Sequence, residues 1–127
     1  SVRGVSETDG QICMCAFDLD AGKIWWGING TWNTVPGSTT TTSSAQIASG
    51  ANAHKTWTPN GAFFRTGHSE YNRFGNAAEQ LLNFGEGRFG VTAVASGNAD
   101  SAGEGVFEYA PPTNFLAICT KNIKNTG

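Results

Sequence analysis

The amino-acid sequence predicts an all-β protein, an antiparallel β-sandwich built from roughly eight short strands. Composition points there first. Leu occurs only four times in 127 residues and charged residues make up 14% of the chain, against about 25% in an average soluble domain. Gly occurs 17 times, and the Leu-, Glu-, Lys- and Arg-rich runs that a helical bundle needs are missing. The second observation is apolar alternation at period two in the first third of the chain. The third is the regular spacing of turn residues between strand-like runs. The length fits a single domain spanning residues 1–127.

The clearest local signal covers residues 12–32. In Ile12-Cys13-Met14-Cys15-Ala16-Phe17-Asp18-Leu19-Asp20 the alternation places Cys13, Cys15, Phe17 and Leu19 on one face, read as the buried one. Ala21-Gly22 supplies a turn in which Gly22 is free to take positive φ. Lys23 to Ile28 forms a second strand, with Ile24, Trp26 and Ile28 on its buried face and Trp25 on the other. Asn29-Gly30 is the strongest short hairpin signal, because a type I′ turn needs positive φ at both central residues. Thr31-Trp32 begins the return, which completes a three-stranded meander.

Residues 33–56 read as a long polar surface loop rich in Thr, Ser, Gly and Ala, of the length that is either functional or disordered. Strands are expected again at 55–58, 61–66, 79–84, 88–95, 106–109 and 115–121. A short helical turn is expected within 71–80, and a second small-residue loop at 96–105.

Charge excludes several classes of partner. The net charge is −2, and the basic residues are scattered apart from Lys121 and Lys124, so binding to nucleic acid by phosphate neutralisation is not expected. Apolar runs fall short of a membrane span, and residues 1–11 lack the basic and apolar regions of a signal peptide. The three cysteines, Cys13, Cys15 and Cys119, have the wrong spacing for a zinc site. They read as buried reduced thiols of a protein folded in a reducing cytoplasm. No metal or other cofactor is expected.

Catalytic motifs are weak. No Gly-x-Ser-x-Gly elbow accompanies His54 and His68, and no glycine-rich phosphate loop occurs. Asp18-x-Asp20-x-Gly22 lacks the later ligands of a calcium loop and reads better as a turn with two solvated carboxylates. The same pair has the alternate spacing used by sandwich glycosidases, but at a turn. Aromatic residues carry the remaining interest. Trp25, pointing away from the core face, lies either under a loop or at a contact surface. Trp32 and Trp57 flank the long loop, where they either pin its ends or present rings for stacking and protein contacts. With His54 on the loop and Tyr71 and Arg73 beyond it, these residues form the candidate ligand-binding set.

Four stretches resemble SPRY-type domains, the concanavalin-A-like jelly rolls of B30.2/SPRY proteins and of bacteriophage structural proteins. The first is Phe17-Asp18-Leu19-Asp20-Ala21-Gly22-Lys23-Ile24-Trp25-Trp26 followed by Asn29-Gly30. The second is Gly61-Ala62-Phe63-Phe64, with Arg65 where the family usually has Pro. The third is Leu82-Asn83-Phe84-Gly85 with Phe89 after it. The fourth runs from Phe107-Glu108-Tyr109-Ala110-Pro111-Pro112 through Thr113-Asn114-Phe115-Leu116-Ala117-Ile118-Cys119-Thr120-Lys121-Asn122-Ile123 and is similar to the closing segment of the phage versions. The family carries several strands before the Asp-x-Asp turn, so the first strands are expected to be missing here or supplied by a neighbouring chain. The resemblance implies a non-enzymatic binding module of a virion, in a tail fibre or on the capsid surface, that attaches to host glycan or protein. The alternatives are a decoration domain packing on neighbouring virion subunits and a glycan-hydrolysing enzyme. A homo-oligomer is compatible with each.

Overall fold

The hairpin expected at residues 12–32 organises the structure, a computed structural model that describes residues 10–35, 37–61 and 81–123. Strand β1 (Cys13–Asp18) pairs antiparallel with β2 (Lys23–Ile28), Ala16 facing Trp25 and Met14 facing Gly27. The connecting turn is closed by the Asp18 carboxylate, which accepts from the Ala21 N–H at 2.8 Å. Gly22 is required there twice over. Its φ is +64°, and a Cβ would collide with the Trp57 carbonyl that closes on it. Asn29 and Gly30 have φ of 48° and 82° and return the chain into β3 (Thr31–Trp32). The expected meander is therefore present.

Residues 33–56 depart from expectation. This segment is an ordered clasp that supplies part of the core. It contains helix α1 (Ser44–Ala48), started by a capping box in which the Ser43 hydroxyl accepts from the Gln46 N–H and the Gln46 side chain accepts from the Ser43 N–H. Ile47 of this helix is fully buried. The clasp ends in β4 (Lys55–Thr56), which pairs with β2 on the same side as β3. Together β1 to β4 form a four-stranded antiparallel sheet.

The core sits between this sheet and the clasp. Ala16, Trp25, Trp32 and Ile47 are its buried members, with Met14, Ala53 and Phe115 packed against them. The expected face of the hairpin is thereby reversed. Trp25 is wholly buried and Trp26 only half-buried, while Cys13 and Cys15 are exposed. The register explains the reversal. A Trp in the core needs a small residue opposite, and Ala16 provides it. The reading of buried thiols is corrected at the same time, since Cys119 too is only partly covered.

A second, two-stranded antiparallel sheet joins β5 (Arg88–Phe89) to β6 (Thr92–Ala93). The other late strands do not form. Residues 81–84 are irregular, 106–107 make only isolated bridges to Glu86 and Asn98, and 115–119 are irregular before a short helix, α2 (Thr120–Ile123). Side chains occupy the backbone groups that a ladder would have used, as the next section details. The fold is β-rich, with antiparallel sheets and few helices. The strand expected at 61–66 and the turn within 71–80 lie outside the described residues, apart from Gly61.

Candidate functional site

Of the four expected contact residues that the structure describes, three are interior. Trp25 donates its indole N–H to the Ala51 carbonyl at 2.9 Å and meets the Phe115 ring edge-on, with centroids 5.7 Å apart. Trp32, 7% exposed, donates to the Ser44 hydroxyl at 3.2 Å. His54, 5% exposed, accepts the Trp26 backbone N–H on Nδ1 at 2.9 Å, and its Nε2 lies 3.3 Å from the Thr42 hydroxyl. An Nδ1 that accepts requires the neutral tautomer with its proton on Nε2. Burial lowers the His54 pKa from 6.5, with the Asn33 carbonyl opposing it weakly. These three side chains pin the clasp onto the sheet, which for Trp25 and Trp32 is the under-loop and loop-pinning alternative, and each is buried. Trp57 is half-buried, and its backbone N–H bonds the Gly22 carbonyl. Tyr71 and Arg73 lie outside the described residues.

The accessible concavity lies elsewhere. A groove of about 660 Å³ runs along β1. One wall is the strand itself, from Ile12 to Leu19. The rest of its lining comes from Trp32 of β3, from Ile47, Ala48 and Gly50 of the clasp, and from residues 81–84, 89, 107–112 and 114–118. Among the described residues eight large hydrophobic side chains are exposed, and six of them line this groove: Leu19, Leu81, Leu82, Phe84, Leu116 and Ile118. Cys15 opens into it. Its thiol is reachable by solvent but walled by protein atoms, and that desolvation pushes its pKa up to about 11. A thiol held protonated is a poor nucleophile at neutral pH.

Polar side chains fix the far wall. Asn83 Oδ1 accepts from the N–H groups of Gly85 and Gly87, at 2.8 and 3.3 Å, and its Nδ2 donates to the Val106 carbonyl. Glu86 accepts from Phe84 N–H, and Glu108 from Ala95 and Ser96 N–H. Asn98 donates to the carbonyls of Phe107 and Glu108. Asp100 is the hub. Its Oδ1 accepts from Ala102 and Glu104 N–H, each at 2.9 Å, and its Oδ2 from Ala117 N–H and Asn122 Nδ2, each at 2.7 Å. Burial of Asp100 raises its pKa, but the four donors outweigh that and hold it below the usual 3.8. At the surface Lys121 pairs with Glu104 at 3.0 Å, which raises the lysine pKa.

The carboxylates of Asp18, Glu86, Asp100 and Glu108 are each taken up by backbone donors. Among the described residues no three His, Cys, Asp or Glu side chains are placed to hold a metal ion. No helix of the described residues is long and apolar enough to cross a membrane. Sequence reasoning overlooked the groove. Its signal was the pair of apolar segments, Leu81-Leu82 and Leu116 to Ile118, which were read only as strands. Comparison of the chain with protein-family models, with curated proteins and with solved structures finds no significant match.

Proposed function

We propose that the chain is a non-enzymatic contact module of a bacteriophage virion, a SPRY-like sandwich that packs against neighbouring virion subunits. One observation carries the packing role: six of eight exposed large hydrophobic side chains gather around a single groove. Contiguous apolar surface of this kind marks a protein interface. The family reading is supported by how its sequence motifs meet. Gly30 of the Asn-Gly turn lies against the Tyr109 ring of the closing segment, where a Cβ would come within 2.9 Å. Gly85 of the Asn-Phe-Gly motif lies against Phe107 and Ala117 in the same way, at 3.3 Å. Motifs far apart in sequence thus form one packed set, as a shared fold requires.

Attachment to host glycan or protein is the second reading, and the half-exposed Trp57 beside the clasp favours it. Cross-linking of the native assembly, read by mass spectrometry, separates the two. The packing reading expects cross-links from Lys121 and from residues beside the groove to a neighbouring subunit, and no binding of the purified chain on a glycan array. Glycan binding that is lost in Trp57→Ala, without subunit cross-links, overturns it in favour of attachment.

A further inference from the structure

The turn at Asn29-Gly30 brings an amide side chain next to the least shielded kind of backbone nitrogen, since glycine has no Cβ. Both residues are exposed, so water and solvent base reach them. The Gly30 nitrogen, after losing its proton to solvent, can add to the Asn29 Cγ. A C–N bond forms, the Cγ–Nδ2 bond breaks, ammonia leaves, and a five-membered imide remains. Water then opens the imide at one of its two carbonyls. One opening leaves an aspartate at this position. The other leaves an isoaspartate, whose backbone runs through Cβ. Nothing is oxidised or reduced, and water is the sole co-reactant.

The fold holds the reacting atoms apart in three ways. First, φ is 48° at Asn29 and 82° at Gly30, the pattern of a type I′ turn. The first central residue of that turn has ψ of about +30°, which sets the Gly30 nitrogen nearly opposite Asn29 Cβ across the Cα–C bond. Ring closure needs both on the same side. Second, Asn29 Oδ1 accepts the Ile12 N–H at 2.9 Å, and the Asn29 N–H donates to the Ile12 carbonyl at 2.9 Å. The amide cannot swing toward Gly30 while the first bond holds. Third, the Tyr109 ring lies over Gly30, where a Cβ would come within 2.9 Å, and it backs the turn against rotation of the peptide. Ile12 precedes β1, and Tyr109 lies in an irregular stretch. Such contacts release more readily than a central ladder. We infer that Asn29 is a deamidation site gated by the fold, intact while Ile12 and Tyr109 are docked and converted when they release. The isoaspartate product lengthens the backbone between Ile28 and Gly30, so β3 no longer meets β2 in register. The gate therefore works one way. This inference goes beyond the contact reading and does not depend on it.

The test ages the full chain in mildly alkaline, oxygen-labelled water, with and without denaturing urea. Peptide mapping by mass spectrometry follows label uptake at Asn29 and separates isoaspartate from aspartate. Conversion is expected to be at least about tenfold slower in the native chain than in urea. Ile12→Pro removes the N–H that holds Oδ1 and keeps the carbonyl at that position. It is expected to speed native conversion several-fold while the Trp25 and Gly27 amides still exchange slowly. If those amides lose protection too, Tyr109→Ala, which uncovers Gly30, takes its place. If neither variant folds, the comparison of native chain with urea decides alone. Equal rates in the native chain and in urea overturn the gate, and no conversion in urea overturns the site. An unchanged native rate in a folded variant shows that these contacts do not guard the turn and overturns the inference as well. The Asn33 amide bonds the Trp26 carbonyl across β2 and β3 and reads the last step. Its protection is expected to be lost in the isoaspartate form, and retained protection overturns the one-way gate.

Discussion

Two adjacent tryptophans have opposite fates in this protein. Trp25 is sealed under the clasp, and Trp26 stacks on His54, centroids 6.1 Å apart, while still half-buried. Truncating a fully buried Trp costs about 3–5 kcal/mol, so Trp25→Ala is expected to be that destabilising in urea unfolding, and Trp26→Ala to cost about half as much or less. Equal losses would show that the two rings share the core. His54 makes stability depend on pH. Its folded pKa lies below the unfolded value of 6.5, so below that pH the unfolded chain binds a proton that the folded chain resists. The stabilisation is complete above pH 6.5 and declines as pH falls below it. The physical reason is burial of the ring, which disfavours its charged form, and the Trp26 N–H faces Nδ1, where the second proton would go. Melting temperature is expected to drop between pH 7 and pH 5, and the drop to shrink in His54→Gln. An unchanged slope in that variant would assign the titration to another group. Asp100 is depressed below 3.8 and acts in a separate window, its stabilisation lost only as pH falls through the acid range under that value.

At the scale of elements, the early hairpins were legible and the later strands were not. Asn29-Gly30 specifies its own turn, and the structure has positive φ at both residues. The buried face of β1 was ambiguous because both parities are apolar: Ile12, Met14 and Ala16 on one, Cys13, Cys15 and Phe17 on the other. Leu19 extends the second set, and Asp18 and Asp20 end the first, which suggested the second. The core took the first, because Trp25 needs Ala16 opposite and Gly27 leaves room for Met14, whose Cε lies 2.5 Å from where a Cβ would be. The clasp was misread as surface because Val35 and Ile47 are its only large aliphatic residues, and the indoles Ile47 packs with lie elsewhere in sequence. Ser43-x-x-Gln46 before Ile47 was the available clue. The late strands failed because Asn83, Asn98, Asp100 and Glu108 use side chains to satisfy backbone groups, which composition alone does not reveal. The clasp helix supplies a prediction of its own. At five residues α1 is too short to persist alone, so its burial should matter more than its cap. Ser43→Ala is expected to cost about 1 kcal/mol, and Ile47→Ala about 2–5 kcal/mol. A larger loss from the cap would mean that α1 forms before it docks.

Across the whole molecule, two aromatic residues of the segment 81–123 reach the sheet and its clasp. Phe115 reaches the Trp25 ring, and Tyr109 covers Gly30. That segment holds little regular structure beyond β5, β6 and α2, so its shape depends on Asp100. The carboxylate ties the loop at 102–104 to Ala117 and Asn122, and the Asn122 amide also donates to the Ala117 carbonyl. The part of the far wall around Ala117 therefore depends on one buried acid, whereas β1 and β2 carry their own ladder. Asp100→Asn keeps the volume but replaces one accepting oxygen with a donating NH₂ among four donors, and an unmatched buried polar group is costly. Exchange is expected to quicken across residues 114–122 in this variant, while the Trp25 and Gly27 amides, bonded within the hairpin, keep their protection. A uniform loss of protection would show that sheet and segment open as one unit. A local loss would show that one wall of the groove can loosen while its strand stays in place. Such a wall can adjust to an incoming partner without unfolding the core.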